Sequence, residues 1–293
     1  MDTQKYEAFI KTAESGSMKK AADDLGYTQA GLSYIIRSLE EELETQLFHR
    51  DYGRIYLTGS GKELLPIAQS ICNDQRRLLA KLSELKHLES GHVTAAVFTS
   101  IAVYWMPFLM KGFQASYPGI QVDVKWYDTK EELNEMLAVG DVDCGFSVLP
   151  DAADSFEKIF LIKDPMVVIL PQDHHYAGAT FFPSKAMLEV PYISSGDFSE
   201  MEDMFYANGV KPVPKMILNN DFAVMSMVSR GFGFSVFPAM MMEEPLFPLA
   251  LLEPEVSFSR EVGIVLRSWQ EASDAAKAFI GFTREWVSSG RRG

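Results

Sequence analysis

The chain has 293 residues, 47% of them hydrophobic and 23% charged, with a formal net charge of −13. That length allows about two domains with ample core material, and the acidity excludes a wholly basic nucleic-acid coat or a membrane-surface protein while leaving room for a small local reading head. The opening "MDTQKYEAFIK" has no apolar signal stretch, no apolar run reaches the roughly 18 residues of a membrane span, and Cys72 and Cys144 lack a CxxC partner, so a cytoplasmic protein with reduced thiols is expected.

Tyr6, Phe9, Ile10 and Ala13 recur at helical spacing. Ser17 sits where an N-cap belongs, and Met18, Ala21, Ala22 and Leu25 form a second apolar stripe. Gly26 then falls where a left-handed residue ends a helix without steric cost. Thr28 caps the next helix, whose inner face is Leu32, Ile35, Ile36 and Leu39. Two short helices crossed at a glycine turn, with small Ala22 permitting close approach, make a helix-turn-helix. In "QLFHRDYGRIYLTGSGKELL", Phe48 and Leu57 bound a ribbon that turns at Asp51, Tyr52 and Gly53. Such a ribbon is a wing, and Arg50 and Arg54 beside its turn are placed for phosphate or the minor groove.

One long helix is expected from Lys62 to Leu88. Leu64, Ala68, Ile71, Gln75, Leu78, Leu82 and Leu85 alternate at four and three, a heptad seam. Pairing of two copies along it sets two heads at the fixed separation that two half-sites require. Beyond Gly91, strands and helices alternate. "VTAAVF", "IQVDVKW", "VDCGFSVL" and "FEKIFLI" read as strands, with helices from Ile101 and Lys130. A second set begins at "PMVVILP", with helices near Ser184–Glu189 and Glu200–Ala207 and a strand around Tyr192. It continues through "PKMILN", the helix "FAVMSMVSR", "GFSVFP" and "EVGIVL" to a last helix over Ala272–Ser288. This alternation implies two α/β lobes with a ligand cleft between them. The expected boundaries are 1–60 for the head, 61–90 for the linker helix, 91–163 with 268–293 for lobe I, and 164–267 for lobe II.

Phe9, Gly16–Ser17, Ala21–Ala22, Leu25, Gln29, Leu32–Ser33, Ile36, Leu39–Glu40, Leu47–Phe48, Arg50, Leu57–Thr58 and Gly61 fall in one ordered pattern. With Pro107, Tyr117–Pro118, "GDVDCGF" and "VSRGFGFSVFP" downstream, the whole chain resembles the LysR-type transcriptional regulators. The resemblance implies an N-terminal all-α winged helix-turn-helix domain, a long dimerisation helix, and a C-terminal α/β two-lobed domain like the type 2 periplasmic binding proteins. It implies a sequence-specific DNA-binding regulator responsive to a small effector, with no catalytic activity, cofactor or membrane. The partners are double-stranded operator DNA, the effector, and further copies in a homodimer or homotetramer. The DNA-contacting set carried over is Ser17, Thr28, Gln29, Ala30, Ser33, Tyr34, Arg37, Arg50 and Arg54, with Gln29 on adenine and Arg37 on phosphate. The seam residues Leu64, Ala68, Ile71, Leu78, Leu82 and Leu85 make the dimer contact. Two positions depart from the family: its usual proline is Ala30, and a position often basic or amide is Tyr34. Residues 1–60 carry seven Lys and Arg against ten Asp and Glu, a balance of −3, so a monomeric head binds DNA weakly.

For the effector, Thr99 and Ser100 lie where a strand ends and a helix begins, a position that suits an anion or carboxylate. Thr129 with Glu132, and Ser199 with Glu202, form capping boxes. Ser147, Ser195, Phe198, Phe237 and Asn220 complete the expected cleft set, for a small anionic or polar metabolite. No GxSxG elbow, HExxH or P-loop occurs, and "GFGFS" lacks the third glycine of a dinucleotide site. His174–His175 stand without nearby Cys, which argues against a metal. Met225, Met227 and Met240 to Met242 read as core filler. The competing readings are a regulator that answers to no effector, acting through DNA or protein contacts, and a solute-binding module.

Overall fold

In the computed structural model, which describes residues 3–51, 54–85, 91–196 and 199–290, the head contains α1 (Thr3–Ser15), α2 (Met18–Leu25) and α3 (Gln29–Glu42). Ser17 Oγ accepts the Lys20 amide to start α2. Gly26, at φ 73°, ends it, its N–H reaching the carbonyls of Ala22 and Asp23. Thr28 Oγ1 accepts the Gly31 amide at 3.1 Å to start α3. The expected elbow is therefore present with all its caps. The wing is β1 (Phe48–Asp51) antiparallel to β2 (Arg54–Leu57). Glu40 Oε1 accepts the amides of Leu47 and Phe48, tying α3 to the wing. Phe9, Leu32, Ile36, Leu39 and Leu47 are buried together, with Phe9 and Phe48 edge to face at 5.5 Å.

The linker helix α4 spans Gly59–Leu85 and starts three residues earlier than expected because Thr58 caps it, Oγ1 accepting from Gly61 N at 2.9 Å. Its expected seam divides. Ala68 is buried and Leu64 half-buried in the head core, with Cys72, because the first turns of α4 pack on α1. Both therefore pack into the head rather than standing free along the helix. Ile71 and Leu78 remain exposed, joined on α4 by exposed Ile67 and Leu79. The side chains of Leu82 and Leu85 lie outside the described residues, as do those of Arg50 and Arg54.

The body runs β3 (Gly91–Val97), α5 (Thr99–Tyr104), α6 (Met106–Ser116), β4 (Ile120–Trp126), α7 (Lys130–Ala138), β5 (Cys144–Val148) and β6 (Glu157–Pro171). It continues with β7 (Phe181–Phe182), α8 (Ala186–Glu189), β8 (Tyr192–Ser195), α9 (Ser199–Ala207), β9 (Pro214–Leu218) and α10 (Asp221–Ser229). It closes with β10 (Ser235–Pro238), β11 (Leu249–Pro254), β12 (Ser259–Leu266) and α11 (Asp274–Ser288). The helix expected from Ile101 is two helices, because Pro107 in the first turn of α6 starts a new one after Trp105. An eight-stranded sheet runs in the order β4-β3-β5-β12-β6-β11-β7, with β10 also on β6, while β8 and β9 pair separately in parallel.

β6 is one strand of 15 residues, where the sequence suggested two. Its first half pairs with β12 and its second half with β10 and β11, so it passes from one lobe to the other. Pro165 sits at the handover, where the missing N–H costs least. β12 pairs with β5 as well as with β6, so residues 259–266 belong with lobe I although the expected boundary put them in lobe II. An apolar run such as "EVGIVL" does not show which sheet half receives it. The linker meets lobe I where Asn73, nearly buried, donates from Nδ2 to the Val139 carbonyl just past α7.

Candidate nucleic-acid interface and effector cleft

α3 divides into two faces. Leu32, Ile36 and Leu39 are at most 1% exposed, while Gln29, Ala30, Tyr34 and Arg37 face solvent and Ser33 is half-buried. Gln29, Ser33 and Arg37, four residues apart, form a polar strip. Ser17 and Thr28 spend acceptor capacity on caps, yet each hydroxyl hydrogen can still reach a phosphate. Lys5 is paired with Glu42, and Lys11 with Glu14 and Asp24, which further reduces the positive charge the head can offer. Lys19, Lys20 and Arg37 are exposed and make no ion pair among the described residues.

The second site lies where β6 and β12 cross between lobes. Arg260 and Asp164 face each other in register. Arg260 donates from Nε to Asp164 Oδ2 at 3.0 Å and from Nη2 to Ser100 Oγ at 2.7 Å, and its Nη2 lies 2.9 Å from the same Asp164 oxygen in an ion pair. The Met240 amide donates to Asp164 Oδ1 at 3.1 Å, and the guanidinium lies 5.4 Å from the Phe98 ring centre. All three polar side chains are buried. This alters the expectation for Ser100: its hydroxyl meets an internal cation rather than opening onto a ligand.

Ser195 Oγ donates to Asp221 Oδ1. Burial, and then the charge of lobe II's Asp221, push the phenol of lobe I's Tyr104 upward. Burial also raises Asp151, with Lys130 opposing and Asp203 of α9 and Glu131 adding to the rise. Thr129 and Asn220 are exposed and cap α7 and α10. Ser147 is buried, donating to the Val148 carbonyl. Thr99 is half-buried at the head of α5. Phe237 is core, 2% exposed and packed with residues of both lobes, so it is no ligand contact. Phe198 lies outside the described residues. Hollows of about 310 Å³, lined by Met187, Tyr192 and Lys215, and about 360 Å³, at Gly281, Arg284 and Ser288, contain none of the expected effector residues. Sequence reasoning missed Asp164, Arg260, Tyr104 and Asp221. A signal was available for the first: an aspartate inside "FLIKDPMVVIL" requires a buried partner.

A winged helix-turn-helix on a long helix, joined to a two-lobed α/β body, is the architecture of a ligand-responsive transcriptional regulator. Residues 3–62 match the family model described as bacterial regulatory helix-turn-helix protein, lysR family, and residues 86–288 match the LysR substrate binding domain. An uncharacterized HTH-type transcriptional regulator of Bacillus subtilis, YvbU, is 30% identical over 97% of this chain and 98% of its own. The transcriptional activator CmpR of Synechocystis is 25% identical over 94% and 93%. The crystal structure of CbnR, a LysR family transcriptional regulator, covers 98% of this chain and 99% of its own with a TM-score of 0.75 at 19% identity. CbnR with its target DNA gives 0.75 at 20% identity, over 97% and 99%. The chain belongs to the LysR family of transcriptional regulators, with a helix-turn-helix domain and an effector-binding domain. No helix among the described residues is long and apolar enough to cross a membrane.

Proposed function

We propose that two copies pair through the exposed stripe Ile67, Ile71 and Leu78 of α4 and place α3 of each in the major groove of one half-site. The observation that carries this reading is the division of α3 into a fully buried apolar face and an exposed face bearing Gln29, Ser33 and Arg37. Gln29 hydrogen-bonds a base edge, Ser33 and Arg37 hold the backbone, and Thr28 and Ser17 reach flanking phosphates. The wing backbone brings Arg50 and Arg54 to either side of its turn, ready for the next groove. Because the head is net acidic, phosphate contacts of one head are few, and affinity depends on the pair and on further pairing into a tetramer.

A small polar metabolite binds between the lobes against Tyr104, Thr129, Ser195, Asn220 and Asp221 and shifts the population of DNA-bound geometries. The protein acts in the cytoplasm and carries out no catalysis. Footprinting of the full chain on the DNA upstream of its own gene tests the reading: a protected site split into two half-sites is expected, with affinity falling steeply as salt rises. Absence of any protected site at low salt overturns it. Thermal shifts with a metabolite panel test the cleft, since a ligand at a hundred times its Kd adds about 2.7 kcal/mol.

A further inference from the structure

Tyr34 is 73% exposed, well above Tyr27 at 38% and Tyr56 at 51% in the same head. Its position on α3 explains why. At about 100° per residue, the buried residues Leu32, Ile36 and Leu39 define an inward direction, and Tyr34 points almost opposite to it. Ala30 lies one turn earlier, roughly 40° away on the same outward strip. Gln29, Ser33 and Arg37 run along one flank of that strip. Over the first two turns of α3 the outermost line is therefore a methyl group and a phenol ring, with the polar groups beside it and exposed Glu41 two turns further along the same line.

We infer that Tyr34, supported by Ala30, is a specificity-determining residue of the head beside Gln29 and selects thymine by packing against its C5 methyl group. The inference rests on the reading of α3 as the groove-entering helix. A ring on the pole opposite the core is the side chain that reaches deepest when that helix lies in a groove. A phenol carries no charge, so it adds nothing to non-specific phosphate attraction. The apolar feature that the major groove offers to such a ring is the thymine methyl. Ala30 and Tyr34 are separated by about 6 Å along the axis, close to two base steps of about 3.4 Å, so the pair is spaced to meet two methyl groups on one strand. The head's balance of −3 sharpens the consequence: with little phosphate attraction, base contacts carry a larger share of binding.

The test begins with selection of binding sites from random duplexes by the full chain, followed by replacement of each enriched thymine with deoxyuridine, which removes only the methyl group. Loss of affinity of about fourfold at one or two positions is expected, the worth of one buried methyl. Tyr34→Ala should lose the thymine-over-deoxyuridine preference at one of these positions, keeping at most the one two base steps away that Ala30 meets, and Tyr34→Phe should keep the full discrimination. Deoxyuridine that is neutral at every position, or a Tyr34→Ala protein that discriminates at every position where the native chain does, overturns the inference while leaving DNA binding intact. A uniform loss for Tyr34→Ala on all duplexes would make the residue a backbone contact and equally overturn it. Failure of the native chain to enrich any sequence removes both the inference and the groove-entering helix beneath it.

Discussion

Gly59 and Gly61 sit two residues apart in the first turn of α4 yet face different surroundings. A Cβ on Gly61 would stand 2.3 Å from the Leu47 carbonyl oxygen, whereas one on Gly59 would meet nothing within 4 Å. Gly61→Ala must push α4 away from the wing and should cost about 1–3 kcal/mol of head stability. Gly59→Ala should be neutral or stabilising by up to about 1 kcal/mol, since glycine is a poor helix former. Chemical denaturation followed by circular dichroism distinguishes the two, and equal effects would refute the close approach. This glycine was legible in the sequence as a family position, but its reason, a backbone oxygen from another element, was not. The cysteines make a second prediction at this scale. Burial pushes both thiols upward from their ordinary range, and both are free and buried. A raised thiol has less thiolate at a given pH and reacts more slowly. At pH 8 a disulfide reagent should label neither Cys72 nor Cys144 in the folded protein and both after denaturation; rapid labelling of either in the native state would contradict their burial.

At the scale of elements, α4 shows what periodicity reveals and what it hides. The heptad spacing marked an apolar stripe correctly but not its partner, because a stripe looks the same whether it packs on its own head or on a second copy. Leu64 and Ala68 cover α1 within the head, while Ile67, Ile71 and Leu78 stay exposed. The head elements themselves were legible because each was bounded by local chemistry: Ser17 and Thr28 as caps, Gly26 as a left-handed stop. Substituting Ile71→Asp and Leu78→Asp together should therefore shift the full chain to monomer in sedimentation velocity without lowering its melting temperature as a monomer. Operator affinity should fall at least about tenfold, the loss of a linked second contact. A dimer that persists would place the contact elsewhere. Ala68→Asp should instead unfold the head, since it places an unpaired charge in a packed core.

For the whole molecule, the two lobes hang on the long strand β6 and its neighbour β12. Sequence reading found the strands of the body except β7 and β11 but cut β6 at "DP", because an aspartate followed by proline reads as an element boundary. In three dimensions that pair marks the crossing. Pro165 stands where the hydrogen-bonding partner changes, and Asp164 turns inward to Arg260. Asp164 accepts from the Met240 amide of lobe II, and Arg260 donates to Ser100 of lobe I, so one buried ion pair touches both lobes. Such a pair contributes little net stability compared with apolar residues of the same volume, but breaking it leaves a buried, uncompensated charge. Arg260→Met should thus destabilise the body by about 3–5 kcal/mol, with Asp164→Leu costing a comparable amount for the stranded guanidinium. The double variant should recover most of the loss, because nothing charged remains to be solvated. Urea unfolding of the four proteins closes the cycle. Additive losses in the double variant would mean that the two side chains act independently, and the ion pair would then not be what joins the lobes at their crossing.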